Sequence, residues 1–351
     1  MSDLVLHSFT RHQIYLEGYK DSVENELAPT LRGMRAEVAA ILDRAGVDNL
    51  NELSRTQFNR VLRELRDTQR NVYSSYRARL IKELQAFTEA ENRMTVNLLT
   101  HLTDTPITEA FNSPLGLAIY GLAAFRLSGR NRANRRRLWA HVSRTPDAAS
   151  GVTPLQAIDQ YLAYVLREIN KVVTRGYADG WTNTQILAGI FGTPSRNFKD
   201  GVLRKVIHQG GTALRTAIQA ISARIQAGVS SIFYRNYEWV AILDEGTTDI
   251  CIGRNGNIYE YGKGPLPPAH YRCRSRAVPI REDITAYRHI PDTFHGWLLL
   301  QPTAVQNDIV GRRRAQQLRG GNLSAEDLGE FTTRKPLTLD EYLRKYSLII
   351  T

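Results

Sequence analysis

Cys251 and Cys273 are the only cysteines in this chain of 351 residues, and His270 stands three residues before the second of them. Thiolate sulfur and imidazole nitrogen are donors that suit zinc, so the C…H-x-x-C spacing is a candidate ligand set. A closed structural zinc site takes four protein ligands, and this set supplies three. Asp244, Asp249 or a water would have to complete it. The competing arrangements are two free buried thiols and a Cys251–Cys273 disulfide, whose loop closure adds about 3 kcal/mol. Because the ligand count is one short, a bridge or close thiol pair is preferred over the metal. Geometry separates the cases, since a disulfide needs its Cα atoms within about 7 Å.

Catalysis at the same residues meets obstacles. Cys251 as nucleophile with His270 as base lacks a third group to orient the base. A histidine–metal nuclease of ββα form would need carboxylate or histidine ligands on a following helix. After Cys273 the chain offers Arg274, Arg276 and Arg281 instead. No G-x-S-x-G, P-loop, dinucleotide fingerprint or H-E-x-x-H occurs. The expectation is a protein that is not an enzyme and has no small-molecule substrate.

The elements that must position the trio are strands and turns. Tyr237 to Leu243 has strand character, Asp244 to Gly246 is a turn, Gly256 closes a second turn, and Ile258 to Tyr261 resumes the strand pattern. Pro265 to Pro268 predicts a stiff, extended approach to His270. Arg274 to Ile280 is the return strand. The outcome is a small antiparallel knuckle.

These residues resemble the Mu F-like minor head proteins of tailed bacteriophages, the phage head morphogenesis family. The likeness lies in Asp244, Thr247, Cys251 and Gly256, followed by Pro267-Pro268-Ala269-His270-Tyr271-Arg272-Cys273-Arg274-Ser275. It continues through Thr293–Phe331 and the closing RKPLTLDEY of Arg334–Tyr342. Some members carry C-x-x-C and C-R-C pairs where this chain has Thr248 and Ser275. The resemblance implies a minor structural protein at the portal vertex, acting in procapsid assembly and in genome packaging or delivery. Its partners would be the portal, the major capsid or scaffold protein, and packaged DNA. It would reside in the virion head, and in the host cytoplasm during assembly. No toxin domain is expected after the closing motif.

The rest of the chain predicts helices. Val23, Leu27, Leu31, Met34, Val38, Ile41 and Leu42 step by three and four, with Pro29 marking a kink or a new start. Ser54-Arg55-Thr56-Gln57 has capping-box form and opens a second stripe reaching Leu102. Further helices begin at Pro154, after Thr182, and near Asp200, the last with a bend expected at Gly210-Gly211. The fold class is therefore α+β. A mostly helical, elongated N-terminal and middle region carries the β knuckle and a tail of short helices. Its expected divisions are a helical hairpin over 1–128, an Arg-rich linker over 129–152, helices over 153–232, the knuckle over 233–285 and the tail over 286–351.

Net charge is +11, which favours an acidic partner. Seven arginines lie between Arg126 and Arg144. Of these, Arg130, Arg132, Arg135, Arg136 and Arg137 are candidates for contact with phosphate or an acidic subunit. Nothing reads base sequence, so a DNA contact would be non-specific and steeply salt-dependent. A non-specific DNA-binding protein unrelated to capsids is the alternative. The longest apolar run, Leu115 to Phe125, falls short of the roughly 20 residues that span a bilayer, and the N-terminus has no signal-peptide pattern. A soluble protein with no membrane partner is expected.

Overall fold

The computed structural model describes residues 2–103, 132–243, 246–281, 293–328 and 336–349. Helices α1 (Ser2–Arg32), α2 (Arg35–Arg44) and α3 (Arg55–Thr103) come first. Then follow α4 (Arg132–Arg144), α5 (Pro154–Asp179), α6 (Asn183–Phe191) and α7 (Val202–Phe233). The sheet segment holds β1 (Asn236–Val240), α8 (Asp249–Arg254), β2 (Ile258–Glu260) and β3 (Arg276–Ile280). The tail is α9 (Phe294–Leu299), α10 (Thr303–Val310), α11 (Arg312–Arg319), α12 (Ala325–Leu328), α13 (Leu339–Arg344) and α14 (Tyr346–Ile349). The chain is thus mostly helical with one small antiparallel sheet, the α+β class that the sequence predicts.

The chain forms two compact units. One comprises Met1–Ser22, Gln85–Pro154 and Arg215–Thr351; the other comprises Val23–Leu84 and Leu155–Leu214.

In the second unit, the apolar stripe from Val23 to Leu42 is buried as its spacing requires. Pro29 lies inside α1 close to its end, and the chain turns at Gly33 before α2 begins. The box at Ser54 and Gln57 forms in both directions, with Ser54 N–H donating to Gln57 Oε1 (2.9 Å) and Gln57 N–H to Ser54 Oγ (3.3 Å). Thr182 and Gln185 repeat it at the start of α6. Gly210 and Gly211 do not interrupt α7. Their role is close packing: a Cβ at Gly210 would meet the Tyr161 ring, and one at Gly211 the Glu24 side chain.

The first unit holds the sheet, ordered β2-β1-β3 with both pairings antiparallel. Tyr237 faces Tyr259 across one ladder, and Trp239 faces Ala277 across the other. Tyr237, Tyr261 and Ala277 pack with Ala227 of α7, while Trp239, Ala241, Cys251 and Cys273 form a second apolar cluster. Beneath the sheet lies a buried polar layer. Glu91 Oε1 accepts from Ser222 Oγ (2.5 Å) and Gln226 Nε2 (3.0 Å), and Tyr342 OH donates to Oε2 (2.6 Å). Tyr342 also stacks on Tyr19, so α13 is part of this core.

Three expectations need correction. Within the expected Arg-rich linker, residues 132–144 are helix α4, because arginine is a good helix former and Leu138 and Val142, one turn apart, bury an apolar edge; residues 145–152 form turns between helices. β1 ends at Val240 rather than Leu243, since the next amide, Ala241 N–H, is taken by Asn255 Oδ1 (2.9 Å). The proline run is not uniformly extended, because the Pro267–Pro268 peptide is cis. Arg130, Asp244, His289 and the run from Leu115 to Phe125 lie outside the described residues. No helix among the described residues is long and apolar enough to cross a membrane.

Candidate metal centre

Cys251 is held by α8, a helix where the sequence suggests only a turn. The short helix starts after Thr248, and Cys251 N–H donates to Thr248 O (2.9 Å). Thr247 Oγ1 donates to Ile242 O (2.7 Å), which ties the preceding loop to the end of the strand segment. Gly256 returns the chain to β2 with φ at 80°, a left-handed conformation that glycine adopts without a Cβ clash. Its N–H donates to Trp239 O (2.9 Å), so the turn that carries Cys251 is fixed to β1.

His270 and Cys273 come from the segment between the prolines and β3. Cys273 N–H donates to His270 O (3.2 Å), and Arg272 sits at φ 60° inside that turn. The turn is the physical content of the H-x-x-C spacing: it puts both side chains on one side. The segment is then fastened to α7 at three points. Arg272 N–H donates to Thr216 Oγ1 (3.2 Å), Gln219 Nε2 donates to Ser275 O (3.1 Å), and Arg276 donates to Gln226 Oε1 and to His12 Nδ1.

The trio converges. Cys251 Sγ lies 3.7 Å from Cys273 Sγ and 3.1 Å from His270 Nε2, and the three donor atoms all fall within 4.8 Å of one another. A disulfide would bring the sulfurs to about 2.0 Å, so the cysteines are free thiols. Two thiolates on one tetrahedral zinc stand about 3.8 Å apart, from Zn–S bonds of about 2.3 Å. The observed separation fits the edge of such a site and not a bond. His270 Nδ1–H donates to Tyr271 O (2.8 Å), which leaves the Nε2 lone pair facing the sulfurs.

Both sulfurs have donors around them. The hydroxyls of Thr248 and Ser275 favour the thiolate of Cys251, and the backbone amides of Ala269 and Ser275 favour that of Cys273. The hydrogen bond from Cys251 and those amides hold the Cys273 thiol well below its ordinary range, while the same bond pushes Cys251 up. His270 is raised, chiefly by hydrogen bonding with the Cys273 thiolate. Thiolate, imidazole and N–H or O–H donors to sulfur are what a zinc-holding knuckle requires. Comparison with family models, with curated proteins and with solved structures gives no match.

Of the other candidates, Asp249 is exposed and does not join the group. Arg135, Arg136 and Arg137 are exposed on α4, and Arg135 Nε lies 3.4 Å from Glu89 Oε1. Arg132 begins that helix. Arg276, one of the arginines after Cys273, is buried in the polar layer. His295 Nε2 bonds to Leu323 O (2.9 Å), a structural contact within the tail. Sequence reasoning missed the residues that seat the site. Thr216, Gln219, Ser222 and Gln226 recur at helical spacing along one face of α7, between the apolar positions Ile218, Ile221 and Ile225. A helix with apolar and polar stripes both buried is one covered on more than one side.

Proposed function

We propose that this chain is a minor structural protein of a tailed-phage head, of the Mu F-like kind, and that its knuckle is a zinc-tied brace. The single observation that carries the reading is the convergence of Cys251, His270 and Cys273 at distances suited to one shared ion. When bound, zinc would join α8 to the H-x-x-C turn that leads into β3, adding a tie to a segment already held by backbone hydrogen bonds. Cys251 and Cys273 would bind as thiolates and His270 through Nε2. The seating of that turn on α7 supports a constructional role, because the trio is fixed by hydrogen bonds from several elements.

On this reading the partners are the portal and the major capsid or scaffold protein, with packaged DNA as a further contact. The protein would be found in the virion head, and in the host cytoplasm during assembly. Co-expression with the portal and capsid proteins tests the assignment: incorporation into procapsids at a fixed low copy number supports it, and exclusion from them opposes it. The exposed arginines of α4 favour one second reading, a non-specific DNA-binding protein unrelated to capsids. Tight, steeply salt-dependent binding of DNA by the isolated chain, without incorporation into procapsids, would select that reading.

A further inference from the structure

Thr248 and Ser275 stand close in the chain to Cys251 and Cys273, and each carries a hydroxyl. Hydroxyl groups of this kind donate hydrogen bonds to a thiolate, but at neutral pH they keep their protons and do not compete as ligands with thiolate, imidazole or carboxylate. Among the described residues no further cysteine, histidine, aspartate or glutamate joins the three donors.

We propose that Cys251, His270 and Cys273 form a three-donor metal site whose fourth coordination position is taken by an anionic sulfur or oxygen donor from outside the chain. The proposal rests on the zinc-holding reading above and goes further, to what the site receives.

Placement supports it. Cys251 and Cys273 are buried, so the trio opens to the surface only at His270, which is partly exposed and stands beside the exposed Tyr271 (55%), with Thr248 exposed near Cys251. Ile250 and Ile252, on either side of Cys251, are 43% and 51% exposed, an uncommon condition for isoleucine on a helix of this size. An external donor would therefore approach over a surface with apolar character.

Charge supports it as well. Two thiolates and a neutral imidazole cancel a divalent ion, so an incoming anion meets no net negative centre. Four-coordinate zinc sites with three protein ligands keep the last position for a water or an outside ligand.

Cobalt(II) loading of the full chain tests this, because tetrahedral cobalt–thiolate centres absorb in the visible and near-ultraviolet. Adding 2-mercaptoethanol should raise the thiolate-to-cobalt absorption about 1.5-fold, as two sulfurs become three. Ser275→Cys should supply that sulfur internally and remove the response; Thr248→Cys serves the same purpose if the first variant does not fold. A spectrum that changes with protein concentration, without added thiol, identifies a second copy as the source of the donor. A spectrum that is independent of concentration but responds to the thiol identifies a small anion or another protein. Uptake of cobalt with no response to either variable overturns the proposal, as does a spectrum altered by Asp244→Asn, since the fourth donor would then be internal. Failure to take up cobalt or zinc at all overturns the metal reading itself.

Discussion

Cys251 Sγ and Cys273 Sγ stand 3.7 Å apart, too far for a bond and close enough to share one ion or one proton. That distance is set by the backbone rather than by the thiols. One sulfur rides on α8, fixed to β1 through Gly256; the other rides on a turn pinned to α7 through Thr216 and Gln219. The pair therefore has a defined separation whether or not anything lies between the sulfurs.

Removing one donor should weaken the knuckle without unfolding the helices. Cys273→Ser is expected to lower the melting temperature by several degrees, and chelator treatment of the parent chain should produce a similar shift. Chelation of Cys273→Ser should then add little. Additive losses from the two treatments would show that the thiol acts apart from any metal.

Tyr342 offers a test of the polar layer. Tyr342→Phe keeps the ring that stacks on Tyr19 but removes the hydroxyl that donates to Glu91 Oε2. A buried carboxylate short of one donor costs about 1–3 kcal/mol, measurable as a lower urea midpoint. No change would mean that water replaces the hydroxyl.

Acid should destabilise the first unit through two groups. Burial pushes His12 below its ordinary value, and Arg276 donating to Nδ1 keeps the imidazole neutral. Burial alone would raise Glu91, but the hydrogen bonds from His12 and Ser222 and the nearby Arg276 charge outweigh that and hold it below its ordinary value. Both folded values are depressed, so the unfolded chain takes up protons first. Stability should be full above about pH 6.5, fall as His12 titrates in the unfolded state, and fall further below about pH 4.3 as Glu91 does. Urea midpoints between pH 8 and 3 check this. Glu91→Gln should flatten the lower part of the curve.

Gly210 sets two known effects against each other. Alanine gains about 1 kcal/mol of helix propensity over glycine, but its Cβ would overlap the Tyr161 ring. Overpacking of a rigid ring costs about 1–3 kcal/mol, so Gly210→Ala is expected to lower the melting temperature. A rise would place the Tyr161 ring elsewhere.

Arg135, Arg136 and Arg137 are exposed, so replacing all three by Gln should leave the melting temperature nearly unchanged. Arg135 loses only a surface pair with Glu89, worth at most about 1 kcal/mol. Procapsid incorporation or DNA affinity should fall, and the salt slope of DNA binding should drop by roughly 3 if all three meet phosphate. Unfolding of the variant would instead make the cluster structural.

Much of this architecture is legible in the residues. The stripe from Val23 to Leu42, the box at Ser54 and Gln57, and the turn at Gly256 each follow from a local rule that the rest of the fold respects. The convergence of Cys251, His270 and Cys273 was readable from residue type and spacing, although the choice between bridge, thiol pair and metal needed distances. What stayed hidden depends on partners distant in sequence. Nothing near Thr216 or Gln219 announces that they fasten the turn before β3, and Arg276 reads as a surface charge until His12 and Gln226 are placed against it. Helix α8 was missed because six residues show too little periodicity to distinguish a turn of helix from a loop.

Metal content per chain is the most direct measurement. Protein expressed with zinc present and purified without chelator should carry about one zinc per chain, with both cysteines unreactive toward a thiol reagent until the metal is removed. A metal-free protein whose mass is two hydrogens lighter than the reduced chain would contradict the account, since the sulfurs would then have closed on each other.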